Sequence, residues 1–157
     1  MKFRKAIGKD AVGIATVLKE CYNISSIKEG VKIFEEEVVK KYHFIVAEDD
    51  GRIAGIVTWQ MHGLPKHQLC ELDRIAVLSE YRGKGVSNEL FKALDKDSNS
   101  SYKKSGSKLR KLYILCHADN KRAHAFYKKM GMKHETTLKN HFYKGKDEWV
   151  FSRFFKN

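Results

Sequence analysis

Glu71-Leu72-Asp73-Arg74-Ile75-Ala76-Val77-Leu78 runs into Tyr81-Arg82-Gly83-Lys84-Gly85-Val86-Ser87-Asn88, which opens in turn onto Leu90, Ala93 and Leu94. The first stretch reads as a strand and the last as a helix with Val86, Leu90, Ala93 and Leu94 inward. Between them lies a turn with two glycines and two cations. Glycine lets backbone N–H groups approach an anion closely, and the helix start adds partial positive charge. Arg82 and Lys84 add full charges, so a pyrophosphate is the natural guest. A tight strand-to-helix turn that merely uses glycine is the other reading of a lone G-x-G.

Toward the C-terminus, Leu109–His117 is a second strand and closes a parallel strand–helix–strand unit, right-handed by default. Leu112, Ile114 and Cys116 share one of its faces, and Tyr113 and Leu115 share the other. This pattern predicts burial on both sides. The intervening segment 95–108, DKDSNSSYKKSGSK, is rich in serine and lysine and reads as a mobile loop. Ala123, Phe126, Tyr127 and Met130 have helical spacing over Asn120–Met130, with Gly131 where a left-handed cap belongs. Strands near Met132–Phe142 and Glu148–Phe155 close the chain around a turn at Lys144-Gly145.

Toward the N-terminus, Lys2–Ile7 reads as a strand. Asp10 is placed to cap a helix bearing Ile14, Val17, Leu18, Cys21 and Tyr22. A second helix covers Ser26–Lys40, with Ile27, Val31, Phe34 and Val38 on one stripe. Phe44–Ala47 and Ile53–Trp59 are strands joined by Asp50-Gly51, a dipeptide suited to the positive φ of a type I′ turn. A loop with the only proline, Pro65, precedes Glu71. The order is β-α-α-β-β-β-α-β-α-β-β in one domain, 1–157, without repeat or linker.

Composition narrows the function classes. An apolar share of 42% is enough for a core. No apolar run approaches the length of a membrane span and no N-terminal apolar leader is visible, so a soluble cytoplasmic protein is expected. Cys21, Cys70 and Cys116 form no C-x-x-C pair, and reduced buried thiols are the expectation. Asp95-Lys96-Asp97-Ser98-Asn99 begins like a calcium loop, but Ser100 and Gly106 stand where glycine and glutamate are required. The histidines lack ligand spacing, so no metal is expected; His124 reads as an exposed helix residue. Lys plus Arg number 31 against 19 acids, a formal charge of +12. That surplus favours an anionic partner: nucleic acid, an acidic surface or a phosphate-rich cofactor. The basic run 102–111 keeps a nucleic-acid-binding protein open as a rival, while a solvated segment explains it more simply.

Arg82-Gly83-Lys84-Gly85-Val86-Ser87 resembles the Gln/Arg-x-x-Gly-x-Gly/Ala signature of the GNAT superfamily of N-acetyltransferases, with Ser87 as the small third residue. Asn120-Lys121-Arg122-Ala123-His124-Ala125-Phe126-Tyr127-Lys128-Lys129-Met130-Gly131-Met132 resembles that family's Asn-x-x-Ala-x-x-Phe-Tyr-x-x-x-Gly-Phe helix, with Met132 for the last aromatic. The specific motifs lie within about residues 71–132. The resemblance implies an α/β (α+β) GNAT fold: a central mixed, mostly antiparallel sheet of about seven strands, about four helices, and a splayed parallel pair at the cofactor site. It implies direct transfer of acetyl from acetyl-CoA to a primary amine (a protein N-terminus, a lysine or a small amine) in a ternary complex. Acetyl-CoA would lie along Ile75, Ala76 and Val77, with its pyrophosphate on Arg82, Gly83, Lys84, Gly85, Val86, Ser87 and Asn88. Asn120 would bind the pantetheine region, and Tyr127 would protonate the thiolate. Glu71, eleven residues before Arg82, stands where histone-type members carry their base, and Asp73 shares its face. The glutamate that ribosomal-protein alanine acetyltransferases carry five residues before the Asn is Leu115 here. A monomer or homodimer is expected, and a CoA-binding module without transferase activity is the second rival.

Overall fold

Alternating apolar residues build a seven-stranded sheet in the computed structural model, which describes residues 1–156. The strands are β1 (Lys2–Lys5), β2 (His43–Asp49), β3 (Arg52–Met61), β4 (Leu69–Val77), β5 (Lys111–His117), β6 (Lys133–Tyr143) and β7 (Lys146–Phe154). The helices are α1 (Ala11–Cys21), α2 (Ile27–Val39), α3 (Val86–Lys104) and α4 (Lys121–Lys129). The strand order is β1-β2-β3-β4-β5-β7-β6. β4 and β5 are parallel, whereas β1–β2, β2–β3, β5–β7 and β7–β6 are antiparallel. The chain falls into two compact units, residues 1–60 with 74–98 and residues 61–73 with 99–157.

In the first unit, α1 buries Ile14, Val17 and Leu18 completely, the i, i+3, i+4 start of the expected stripe, together with Ala15; Cys21 is half-buried and Tyr22, past the helix end, is exposed. α2 packs on α1 where both side chains are small: a Cβ on Gly30 would stand 2.7 Å from the Ala15 Cβ. The Ser26 hydroxyl caps α2 by accepting from the Glu29 N–H at 3.0 Å. The core comprises Ile14, Val17, Leu18, Phe34, Phe44 and Ile56 with their neighbours, and the Phe34 and Phe44 rings meet edge to face at 4.9 Å. Asp50 (φ 47°) and Gly51 (φ 81°) form the expected hairpin turn. Val38 is exposed, so the stripe expected on α2 ends at Phe34.

Asp10 precedes α1 but does not cap it with its side chain. Its carboxylate instead accepts from the two terminal guanidinium nitrogens of Arg4, at 2.7 and 2.9 Å, and from the Ile7 N–H at 2.8 Å. A guanidinium is the stronger donor, so it outcompetes the helix end.

Segment 95–104 is helical, not a loop. Val86, Leu90, Leu94, Ser98 and Tyr102 recur every four residues, and all five are buried. Ser98 fits that stripe because its hydroxyl donates to the Asp95 carbonyl at 3.2 Å. The Trp59 indole N–H donates to Asp97 at 3.1 Å. Near the helix end the Tyr102 hydroxyl donates to the Leu69 carbonyl.

In the second unit β5 buries Leu112, Ile114 and Cys116. Tyr113 and Leu115 are only half-buried, so β5 has one fully dry face rather than two. α4 lies on that dry side: His124 stacks on Trp149 at 4.3 Å, and Tyr127 lies 5.8 Å from Phe151. His124 is thus buried, contrary to expectation, and its Nε2 bonds the His117 carbonyl at 3.0 Å. Gly131 has φ 82°, the left-handed cap. Among the described residues no helix is long and apolar enough to cross a membrane.

Candidate active site

The turn after β4 belongs to the first unit. Gly83 (φ 74°) and Gly85 (φ 78°) are left-handed, and a Cβ at either would meet nothing within 4 Å. The glycines are therefore required by conformation and leave open space over the turn. α3 starts at Val86, so its first-turn N–H groups, including those of Ser87 and Asn88, have no intrahelical acceptor. Donors, partial helix charge, Arg82 and Lys84 suit a pyrophosphate. The Arg82 Nε donates back to the Val77 carbonyl at 3.0 Å, tying the turn to the strand end, and the Lys84 ammonium stands 5.5 Å from the Tyr81 ring centre.

β4 itself presents two different edges. Leu78 N–H donates to the Ala54 carbonyl at 2.9 Å, and the Ala76 carbonyl lies against Gly55, only 2.8 Å from where a Cβ would be. By alternation, Ile75 and Val77 turn their peptide groups to the opposite edge. Side chains meet their carbonyls there: Tyr22 Oη on Ile75 at 3.4 Å, and Cys21 Sγ on Val77 at 3.7 Å. Burial raises the Cys21 thiol above its ordinary value, and a hydrogen bond from Arg82 pulls in the opposite direction.

The remaining candidates lie in the second unit. Glu71 pairs in register with Tyr113, whose hydroxyl donates to the Glu71 carboxylate at 3.0 Å. The His62 Nδ1 is 3.1 Å from that hydroxyl and 3.5 Å from the carboxylate. Leu69↔Lys111, Cys70↔Leu112 and Glu71↔Tyr113 are the parallel register pairs. Asn120 caps α4, its Oδ1 accepting from the Ala123 N–H at 3.1 Å. Tyr127 follows seven residues later on the inward face and is 5% exposed. The structure thus brings Ile75–Val77 together with 82–88, places Glu71 with His62 and Tyr113, and sets Asn120 and Tyr127 on one helix. Among the described residues no cluster of three or more His, Cys, Asp or Glu is placed to hold a metal ion.

Sequence reading missed one arrangement. His117, the last residue of β5, pairs in register with Glu148 on β7, and its Nδ1 is hydrogen-bonded to the Glu148 carboxylate. Glu148 is 2% exposed, whereas the His117 side chain is 44% exposed. Thirty-one positions separate the two, and only the register of the closing strand reveals the pair.

The model of the acetyltransferase (GNAT) family matches residues 12–132. An N-alpha-acetyltransferase from Saccharolobus solfataricus is 30% identical over 132 residues, covering 76% of this chain and 75% of that protein. Among solved structures, a protein of Desulfovibrio desulfuricans assigned to the GNAT family superposes with a TM-score of 0.80 at 20% identity, over 98% of both chains. The ribosomal-protein-S18-alanine N-acetyltransferase of Escherichia coli gives 0.77 at 18% identity, over 99% of this chain and 94% of that one. The fold, both sequence motifs and these matches agree, and the chain belongs to the GNAT family as an N-acetyltransferase enzyme.

Proposed function

We propose that the chain acetylates the α-amine of a protein or peptide, holding acetyl-CoA by its pyrophosphate on Arg82–Asn88. The observation that carries this reading is the pair of left-handed glycines, open above, at the start of a 19-residue helix and flanked by Arg82 and Lys84. The outward peptide edge at Ile75 and Val77 suits an extended amide chain such as pantetheine, which can hydrogen-bond there as an added strand would. Leu78, whose N–H donates to the Ala54 carbonyl, holds the strand end in that orientation. Asn120 spends its oxygen on the α4 cap, so its amide NH2 is the donor for the pantetheine region.

Acetyl-CoA supplies a thioester, an acyl group already activated toward amines. The chain's residues must then do three things. A base must take the amine's proton, because an ammonium has no lone pair to attack with. Family spacing makes Glu71, with Asp73 on the same face, one candidate for this base. Backbone N–H of the Ile75–Val77 segment stabilises negative charge developing on the acyl oxygen. The Tyr127 hydroxyl delivers a proton to the departing sulfur.

The N-alpha-acetyltransferase relative supports a protein N-terminus as acceptor. The +12 charge also disfavours a polycation as acceptor. Thiol release from acetyl-CoA, followed over peptides, lysine analogues and spermidine, tests the acceptor: peptides with a free α-amine should turn over fastest. In a folded Gly85→Glu variant, acetyl-CoA binding should be abolished, since a carboxylate would stand in the anion site. Unchanged affinity would remove the pyrophosphate from this turn.

A further inference from the structure

The feature left unused is Glu148, a carboxylate 2% exposed at the end of the β5–β7 ladder with a half-exposed imidazole bonded to it. A buried carboxylate is costly unless its charge is met. To donate to a carboxylate oxygen, the His117 ring must carry hydrogen on Nδ1, which leaves the Nε2 lone pair as its basic site. Among the described residues no group hydrogen-bonds that Nε2. A proton arriving at Nε2 leaves the Nδ1–Glu148 hydrogen bond in place, so the ring keeps its orientation through the transfer. Glu71 differs: its carboxylate already accepts from Tyr113 and has His62 beside it.

Position within the second unit supports the same assignment. Tyr113, Leu115 and His117 alternate onto one face of β5, and Glu148 lies on that face as the register partner of His117. α4 packs on the other face, through Trp149 and Phe151. His117 ends β5 at its carboxyl end, where ligands of parallel strands bind. Four residues of strand, roughly 13 Å, separate it from Tyr113, the partner of Glu71. The two bases therefore cannot serve one nitrogen atom directly.

We propose that His117 is the catalytic base of this transferase and that Glu148 is its positioning residue. The His117 Nε2 first takes one proton from the acceptor ammonium and passes it to solvent, which leaves a neutral amine. As the N–C bond forms and the C–S bond breaks, the nitrogen gives its second proton to the His117 Nε2 and Tyr127 delivers one to the sulfur. Solvent carries the imidazolium proton back to the phenolate, so each ammonium acetylated releases one proton in all. This rests on the acetyl-transfer reading above. The groups facing the imidazole are Glu148 on β7 and Tyr143 at the end of β6, its ring 6.3 Å away. The His124 ring of α4 bonds the His117 carbonyl, and the Cys116 thiol neighbours Glu148.

The test compares His117→Gln, Glu148→Gln and Glu71→Gln with the intact protein, using acetyl-CoA and a peptide acceptor across pH. His117→Gln should lower kcat by about a hundred- to ten-thousandfold while acetyl-CoA affinity stays unchanged. The deficit should narrow above the acceptor's own pKa, where the amine arrives neutral. Added imidazole should restore turnover to His117→Gly and leave Glu71→Gln unaffected. Glu148→Gln should lower kcat less than His117→Gln does. A wild-type kcat in His117→Gln overturns the proposal. So does a deficit independent of pH with no imidazole rescue, or a pH-narrowing deficit found only in Glu71→Gln. Failure of the broader reading looks different: the intact protein would then release no thiol with any amine.

Discussion

Tyr127 and Asp10 show how a side chain's neighbours set its task. Tyr127 is nearly buried on α4 against Phe151, which fixes its ring and leaves the hydroxyl as its only chemistry. Tyr127→Phe keeps that packing and should lower kcat by about ten- to a thousandfold, with acetyl-CoA affinity unchanged. A steady-state comparison with a binding titration checks this. Hydrogen bonding to Arg4 holds the Asp10 carboxyl below the ordinary value, against the opposing effect of burial. The stabilisation is therefore complete above the unfolded carboxyl's value near about 4 and is lost as pH falls through the lowered folded value. Asp10→Asn should cost about 1–3 kcal/mol at neutral pH, and the difference in melting temperature from wild type should shrink toward pH 3. The conformation of the 82–88 turn was legible in the sequence because its parts are contiguous: glycines, cations and a helix start within seven residues. His117 with Glu148 was illegible because its partners meet only through strand register. The buried His124 was misread because its apolar partner, Trp149, lies on a distant strand.

At the scale of elements, α3 and α2 teach opposite lessons about composition. Serine and lysine between 95 and 104 suggested a loop, yet the helix continues because Ser98 and Tyr102 extend the four-residue stripe of Val86, Leu90 and Leu94. Burial every fourth position outweighs weak local propensity. Most other elements were legible from periodicity and turn chemistry, including the Asp50-Gly51 hairpin and the Gly131 cap. In α2 the informative residue is Gly30. Replacing a mid-helix glycine by alanine ordinarily stabilises by up to about 1 kcal/mol. Here the new Cβ would stand 2.7 Å from the Ala15 Cβ and 2.8 Å from its Cα. Gly30→Ala should therefore destabilise, by about 1–3 kcal/mol, and thermal or urea unfolding will show the reversed sign.

Across the whole molecule, the excess of 31 basic over 19 acidic residues makes a field that attracts anions at a distance. A polyphosphate cosubstrate should feel it. Raising monovalent salt from roughly 0.05 to 0.5 M shortens the screening length and should raise the KM for acetyl-CoA while kcat changes little. Neither the sequence nor its charge identifies the acceptor, because acceptor choice depends on surfaces assembled from remote segments. The three cysteines offer a way to watch those segments separately. Cys21, in the first unit, is partly accessible and touches Arg82 and the Val77 carbonyl. Cys70 and Cys116, in the second, are buried, and burial pushes the Cys116 thiol up to about 12. An alkylating reagent should thus mark Cys21 in the native protein and reach the other two only when the second unit opens. Native mass spectrometry would then read one added mass as a report on the 82–88 turn and two more as breathing of the β4–β5 pair, an internal clock that needs no label of its own.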